Sequence, residues 1–280
     1  MCFSIFLVAA DDETSALFHG IAAKLKDDIQ LDHPETVKKY GKRLNDDDIR
    51  VQVVNEISRR LISVVQEDIP EIKDKIEWQV IVRENPAINA FYQPGGRLTV
   101  FTGLIDLMCW AELKGKLNNA NDAMAAVIAH EISHGICRHG LEKLSWLPIQ
   151  IPFLLFTPDY DLLYEMFDLI FRLPHSRLVE TEADILGVEL LARTGCFDPN
   201  EAPKMFLVLN QKGKFMEWKS THPVGRTRAE ELSHHLKKDL ELYEANRRRF
   251  NKDGPLQSLI DDFKRRLENQ KRSEEETPPK

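Results

Sequence analysis

The chain has 280 residues, 42% of them apolar and 30% charged, the make-up of an ordinary soluble globular protein rather than a collagen-like, disordered or disulfide-scaffold chain. Lys plus Arg number 38 against 45 Asp plus Glu, a formal charge of −7, which speaks against a general nucleic-acid binder. Cys2, Cys109, Cys137 and Cys196 are too few for a disulfide framework and form no CxxC pair, so they suit a reducing compartment as buried thiols.

The opening stretch, Cys2 to Ala10, is apolar but has no basic leader, and Asp11-Asp12-Glu13 follow at once. It reads as a buried strand or helix start, or as the mark of a truncated N-terminus, and makes a poor signal peptide. With Arg43 as the first arginine it is also a poor mitochondrial presequence. A helix is expected over 13–31 and a clearer one over 46–66. There Val53, Val54, Ile57, Leu61, Val64 and Val65 recur at helical spacing, and Asn45 is placed to cap the start. Alternation at Trp78, Val80 and Val82 then signals a strand, with a second short one at Asn89-Ala90-Phe91. Pro94-Gly95-Gly96 is a turn, and Arg97 to Thr102 a third strand. From Gly103 the chain reads as helical almost throughout. Helices are expected over 120–139, opened by Asn119 or Asn121, over 161–172, and over 176–194, stopped by Gly195. Another starts at Asp198-Pro199-Asn200-Glu201 with capping-box spacing. Polar helices over 226–249 and 255–270 and a Glu, Lys and Pro-rich tail complete a mainly helical α+β chain with a small β-sheet.

The chemistry lies in His130-Glu131-Ile132-Ser133-His134. Histidines four apart on a helix project from one face, and Glu131 sits about 100° round from His130. Two imidazoles and a third protein ligand leave one position of a zinc ion open to water. The ion brings the pKa of that water toward about 7, and the glutamate takes its proton as it attacks a carbonyl. The run Ala123 to Ala129 is small and apolar, so the helix is expected to be buried, and burying His and Glu without a metal or hydrogen bonds is costly. The bland alternative is a solvated His/Glu face.

The third ligand decides the class. A metzincin pattern would need Gly at 137 and His at 140, where the chain has Cys137 and Gly140. His139 points about 140° away from His134 and suits a supporting or surface position. The other source is the helix Ser176-Arg177-Leu178-Val179-Glu180-Thr181-Glu182-Ala183-Asp184, whose stripe of Val179, Ala183, Leu186 and Leu190 faces the core. Glu180 and Asp184 share one flank and Glu182 takes the other; periodicity alone does not choose between Glu180 and Glu182.

HEISH with SRLVETEAD resembles the HtpX and CAAX-prenyl-protease group of gluzincin metallopeptidases, with its HExxH and SRxxExxAD pattern. Asn89-Ala90-Phe91-Tyr92-Gln93-Pro94-Gly95-Gly96 resembles the NAFxxPGG segment of that group. Glu217-Trp218-Lys219-Ser220-Thr221-His222-Pro223, with Arg228 six after the histidine, resembles its THP motif and following arginine. The Glu-Trp pair and an apolar insert between the two zinc helices are most similar to the Oma-type mitochondrial inner-membrane metalloendopeptidases. The resemblance covers roughly 75–250. It implies a minigluzincin-like zincin core, one Zn2+ per chain, a polypeptide substrate and a mitochondrial inner-membrane location. It implies His130, His134 and Glu180 as ligands, Glu131 as general base, and Asp184 behind a ligand histidine. His222 would stabilise charge on the scissile carbonyl, and Arg228 would order the His222 loop or pair with an acid. The plain reading of the strand 97–102 is an interior strand; the resemblance favours an open edge there, to which a substrate peptide adds as a further strand, and Asn89, Ala90, Phe91, Gly95 and Gly96 are assigned to the substrate edge.

The implied organisation is an N-terminal helical segment, 1–74, packed on a peptidase domain, 75–250, followed by a helix and tail, 251–280. No stretch reaches the roughly 18–20 apolar residues of a membrane helix. In the insert 146–171, Pro148 and Pro152 interrupt the first half. In the second half Leu162, Leu163, Met166, Phe167, Ile170 and Phe171 share a face opposite Asp161, Glu165 and Asp168. That face suits packing over the site, a partner protein or a membrane surface, and a homo-oligomer is compatible with it. A non-catalytic scaffold that keeps the zinc fold is the rival reading.

Overall fold

The computed structural model describes residues 34–73, 76–93, 95–137, 139, 177–210, 218, 222 and 226–247. The helices expected over 13–31, 161–172 and 255–270, the apolar N-terminal stretch, the insert 146–171 and the tail lie outside these residues.

A short helix α1 (Pro34–Tyr40) and strand β1 (Lys42–Arg43), neither expected from sequence, precede the long helix α2 (Ile49–Asp68). The cap of α2 is Asp48, whose side chain accepts from the Arg50 amide, and not Asn45. Asn45 instead accepts the Asp48 amide through its carbonyl at 3.0 Å, so 45–48 is a turn and the helix starts three residues later than expected. A single turn α3 (Pro70–Lys73) leads to strands β2 (Gln79–Glu84), β3 (Ala90–Gln93) and β4 (Arg97–Phe101).

The sheet order is β1-β2-β4-β3, with β2 and β4 parallel and the β3–β4 hairpin antiparallel. The expectation of an open edge at 97–102 is therefore corrected: β4 is bonded on both sides and all five of its residues are buried. Among the described residues the edge strands are β1 and β3, and the edge beside β4 is β3, which carries Ala90 and Phe91, with Asn89 just before it. Gly95 and Gly96 make the tight return at φ +88° and +91°, a region closed to most side chains. A Cβ on Gly96 would also collide with the Glu77 carbonyl.

Helix α4 (Thr102–Leu113) follows β4 directly, and α5 (Ala120–Ile136) carries the HEISH residues. Asn119 caps α5, its side chain accepting from the Asn121 and Asp122 amides at 2.8 and 3.2 Å. Then come α6 (Arg177–Thr194), α7 (Glu201–Leu209) and α8 (Arg226–Asn246). Gly195 ends α6 at φ +64°. Glu201 does not complete the expected capping box. Its carboxylate accepts the Asn118 amide at 2.9 Å and pairs with Lys204, tying the start of α7 to the entry of α5. One apolar core joins α2, the sheet and all five later helices, with Ile57, Leu61, Ile128, Ile132, Leu191 and Met205 fully buried.

Candidate functional site

Every residue of α5 from Ala120 to Gly135 is buried, as the small apolar run Ala123 to Ala129 predicts, and the helix carries its His and Glu residues into the interior. Ala123, Ala125, Ala126 and Ala129 keep it slim, and α6 comes close at Gly187, where a Cβ would lie 3.0 Å from the His130 backbone nitrogen. This contact sets the α6 carboxylates against the α5 histidines.

His130 Nε2 and His134 Nε2 are 3.0 Å apart. The Glu180 carboxylate lies 3.5 Å from the first and 3.4 Å from the second. Glu182, the alternative left open by periodicity, has a side chain 54% exposed and touches His139 instead. Asp184 Oδ1 sits 2.8 Å from His130 Nδ1. Arg228, from α8, forks onto Asp184 with two 2.7 Å bonds and places its remaining nitrogen 3.1 Å from Glu180. Its guanidinium lies on the Phe206 ring, 4.5 Å from the centroid. Arg228 thus pairs with two acids at once.

His222 brings Nδ1 within 3.2 Å of Glu180 and Nε2 within 3.3 Å of Glu131. The Trp218 ring stacks on it at 4.3 Å and 26°, and the His222 amide donates to the Trp218 carbonyl at 2.8 Å. The positioning role of Trp218 was missed in the sequence; its signal is the four-residue spacing to His222, one helical turn. Tyr92 of β3 was missed as well. Its backbone amide donates to Glu131 Oε2 at 2.9 Å, and its ring occupies the space a Cβ on Gly135 would need. Asn89 caps the same strand, its side chain accepting the Ala90 amide at 3.0 Å. His139 is buried and sets Nδ1 2.8 Å from His134 Nδ1, the supporting position anticipated for it.

Burial pushes the Glu131 carboxyl above its ordinary range, and the nearby His222 and His130 only partly offset it. Burial acts the same way on Glu180, but His222, His134 and His130 outweigh it and hold that carboxyl well below the usual range. Two carboxylates in one pocket are thus driven apart, one toward accepting protons and one toward permanent charge.

The donor set fits a cation. With Asp184 against Nδ1, His130 carries its proton there and turns a lone pair inward from Nε2. His134 sets Nδ1 on His139 Nδ1, and with its proton on that side it would do the same. Lone pairs of two imidazoles and a carboxylate facing one another in a dry site repel unless a positive ion lies among them. Ligand atoms from His130, His134, Glu180 and His222 all lie within 4.8 Å of one another, and nitrogen–nitrogen–oxygen sets of this kind suit zinc.

Residues 54–236 match peptidase family M48. The chain is 37% identical over 164 residues to the mitochondrial metalloendopeptidase OMA1 of Arabidopsis thaliana, covering 56% of this chain and 31% of that protein. It is 31% identical over 214 residues to the OMA1 of Schizosaccharomyces pombe, covering 73% and 58%, and 30% identical over 224 residues to that of Homo sapiens, covering 72% and 40%. The chain therefore spans about a third to three fifths of the length of these relatives. The match runs from α2 through the two helices that carry the His and Glu residues and into α8, and by it the chain belongs to peptidase family M48.

Proposed function

We propose that this chain is a zinc-dependent endopeptidase. The observation that carries the reading is the buried convergence of His130, His134 and Glu180 with Glu131 beside it. Zinc held by those three ligands supplies carbonyl polarisation and a water whose pKa falls to about 7. Glu131 takes the proton of the attacking water, a task suited to a carboxylate whose burial raises its basicity. His222 donates from Nε2 to the carbonyl oxygen as charge develops, with Trp218 fixing the ring plane. Asp184 holds the His130 tautomer, and Arg228 holds Asp184 and Glu180 in register. The edge of β3 offers the backbone against which an extended peptide pairs, near Asn89, Ala90 and Phe91, with Gly95 and Gly96 closing the hairpin. In the scaffold alternative, neither Glu131 nor His222 would have a task, and the family match gives it no support.

We assign the peptidase unit to 75–250, with the described part of the segment 1–74 packed on it through α2. The relatives are named mitochondrial, which supports a mitochondrial location for this chain. We further propose that it works at the inner membrane, with contact through 146–171. Polypeptides are the substrate class, and membrane protein quality control the setting. The test is cleavage of an unfolded protein by the purified chain. Activity lost with a chelator and restored by one equivalent of zinc is the expected result; hydrolysis indifferent to chelation would overturn the reading.

A further inference from the structure

A second convergence of ligand atoms lies on the outer side of His134. Cys137, the residue that ends α5, His139 and Glu182 each place a ligand atom within 4.8 Å of the other two. Ligands arranged around one tetrahedral zinc ion stand about 3.3–3.8 Å apart. His139 Nε2 and Glu182 Oε2 are 3.4 Å apart, long for a direct hydrogen bond and right for two ligands sharing an ion. His139 is buried, Cys137 half-buried and Glu182 exposed, so the cluster opens to solvent on its carboxylate side. A thiolate, an imidazole and a carboxylate make a soft-to-borderline set that selects zinc-class ions over magnesium or calcium.

We propose that Cys137, His139 and Glu182 form a second, solvent-facing site for a thiophilic divalent cation of the zinc class, and that filling it opposes the ion in the inner site. The site itself stands on these three residues; the opposition rests on the reading of His134 as a zinc ligand. With zinc on Nε2, His134 carries a proton on Nδ1, and His139 Nδ1 accepts it across 2.8 Å. His139 then keeps its own proton on Nε2, toward Glu182. A cation on that Nε2 displaces this proton, and a neutral ring bound there carries its proton on Nδ1. Two N–H groups would then face each other across the His134–His139 contact. The inner ligand loses its supporting acceptor, a change that typically lowers metal affinity or activity about 10–100-fold.

The experiment uses the full chain, stripped of metal and loaded stepwise with Co2+. Only a cysteine ligand gives a thiolate-to-cobalt charge-transfer absorption, which an inner site of His and Glu lacks. Two bound cobalt ions with that absorption are expected. Cys137→Ser should bind one ion without it, and Glu182→Gln should need about tenfold more cobalt to develop it. Absence of the absorption at saturation, or its survival in Cys137→Ser, would overturn the proposal. One ion without the absorption removes the outer site and leaves the inner one standing; one ion with it does the reverse. In peptidase assays, excess zinc should inhibit the unmodified chain at about tenfold lower concentration than Cys137→Ser, and equal inhibition would overturn the opposition between the sites.

Discussion

Glu131 holds one carboxylate oxygen on the Tyr92 amide and turns the other toward His222, so it is oriented from both sides without being placed among the converging lone pairs. Glu131→Gln keeps the shape and the amide contact but not the basicity. It should retain zinc by metal analysis and lose roughly 10²–10⁴-fold in kcat on an unfolded protein. Glu180 and Glu182 make a matched pair of controls two residues apart. Glu180→Ala should lose the zinc that survives dialysis, while Glu182→Ala should keep that ion, because its carboxylate reaches His139 and not the inner site. Arg228 is a planar fork bonded to two acids, a geometry that lysine does not reproduce. Arg228→Lys should therefore weaken zinc binding about 10–100-fold while the protein stays folded, measured by competition with a chelator.

The α5–α6 contact is set by Gly187, whose neighbour is backbone and has nowhere to move. Gly187→Val should push the two helices apart and cost about 1–3 kcal/mol in urea unfolding, with zinc loss at lower chelator concentration. Where α6 meets α8, burial and the nearby Glu189 raise the Asp239 carboxyl from 3.8 to about 6, against weaker pulls from Lys238 and His235. The folded state thus holds this proton more tightly than the unfolded chain. The associated stability is present below about pH 4, falls as pH rises through about 6, and stays lost above it. Asp239→Asn should raise the melting temperature at pH 7.5 and leave it unchanged at pH 3.5, an effect on the order of 1 kcal/mol after solvent screening. At this scale α5 and α6 were legible because caps, small residues and stop signals agreed. The start of α2 was not, because Asn45, Asp46, Asp47 and Asp48 are all competent caps and tertiary packing chooses among them. The open edge was misplaced because the family resemblance favoured it over a plain interior strand, which is what the structure holds, with Arg97 and Thr99 buried and Arg97 bonded to Gln79.

Across the molecule, the residues that converge on one pocket come from α5, α6, α8, the hairpin, and Trp218 and His222. Spacing within a helix was readable, which is why His130, Glu131 and His134 were found from the sequence. Contacts between distant segments were not, so Glu180 against Glu182 stayed open on periodicity, and Trp218 and Tyr92 went unassigned. No helix among the described residues is long and apolar enough to cross a membrane. The proposed membrane contact through 146–171 has its own test. Fractionation of cells expressing the chain should find it with mitochondrial membranes. Replacing Phe167 and Phe171 by Ser should release it, removing about 1.5–3 kcal/mol of apolar burial per ring. A further consequence follows from Arg228 being the counter-charge of both Asp184 and Glu180. Chains are made from the N-terminus, and an emerging polypeptide reaches His130, His134 and Glu180 well before Arg228. Until α8 docks, two acids would have to be buried without their partner, a state costly by roughly 3–5 kcal/mol. Under the proposed activity, the nascent chain is therefore a latent hydrolase: it gains the means to cut proteins only when it is itself folded and no longer a substrate.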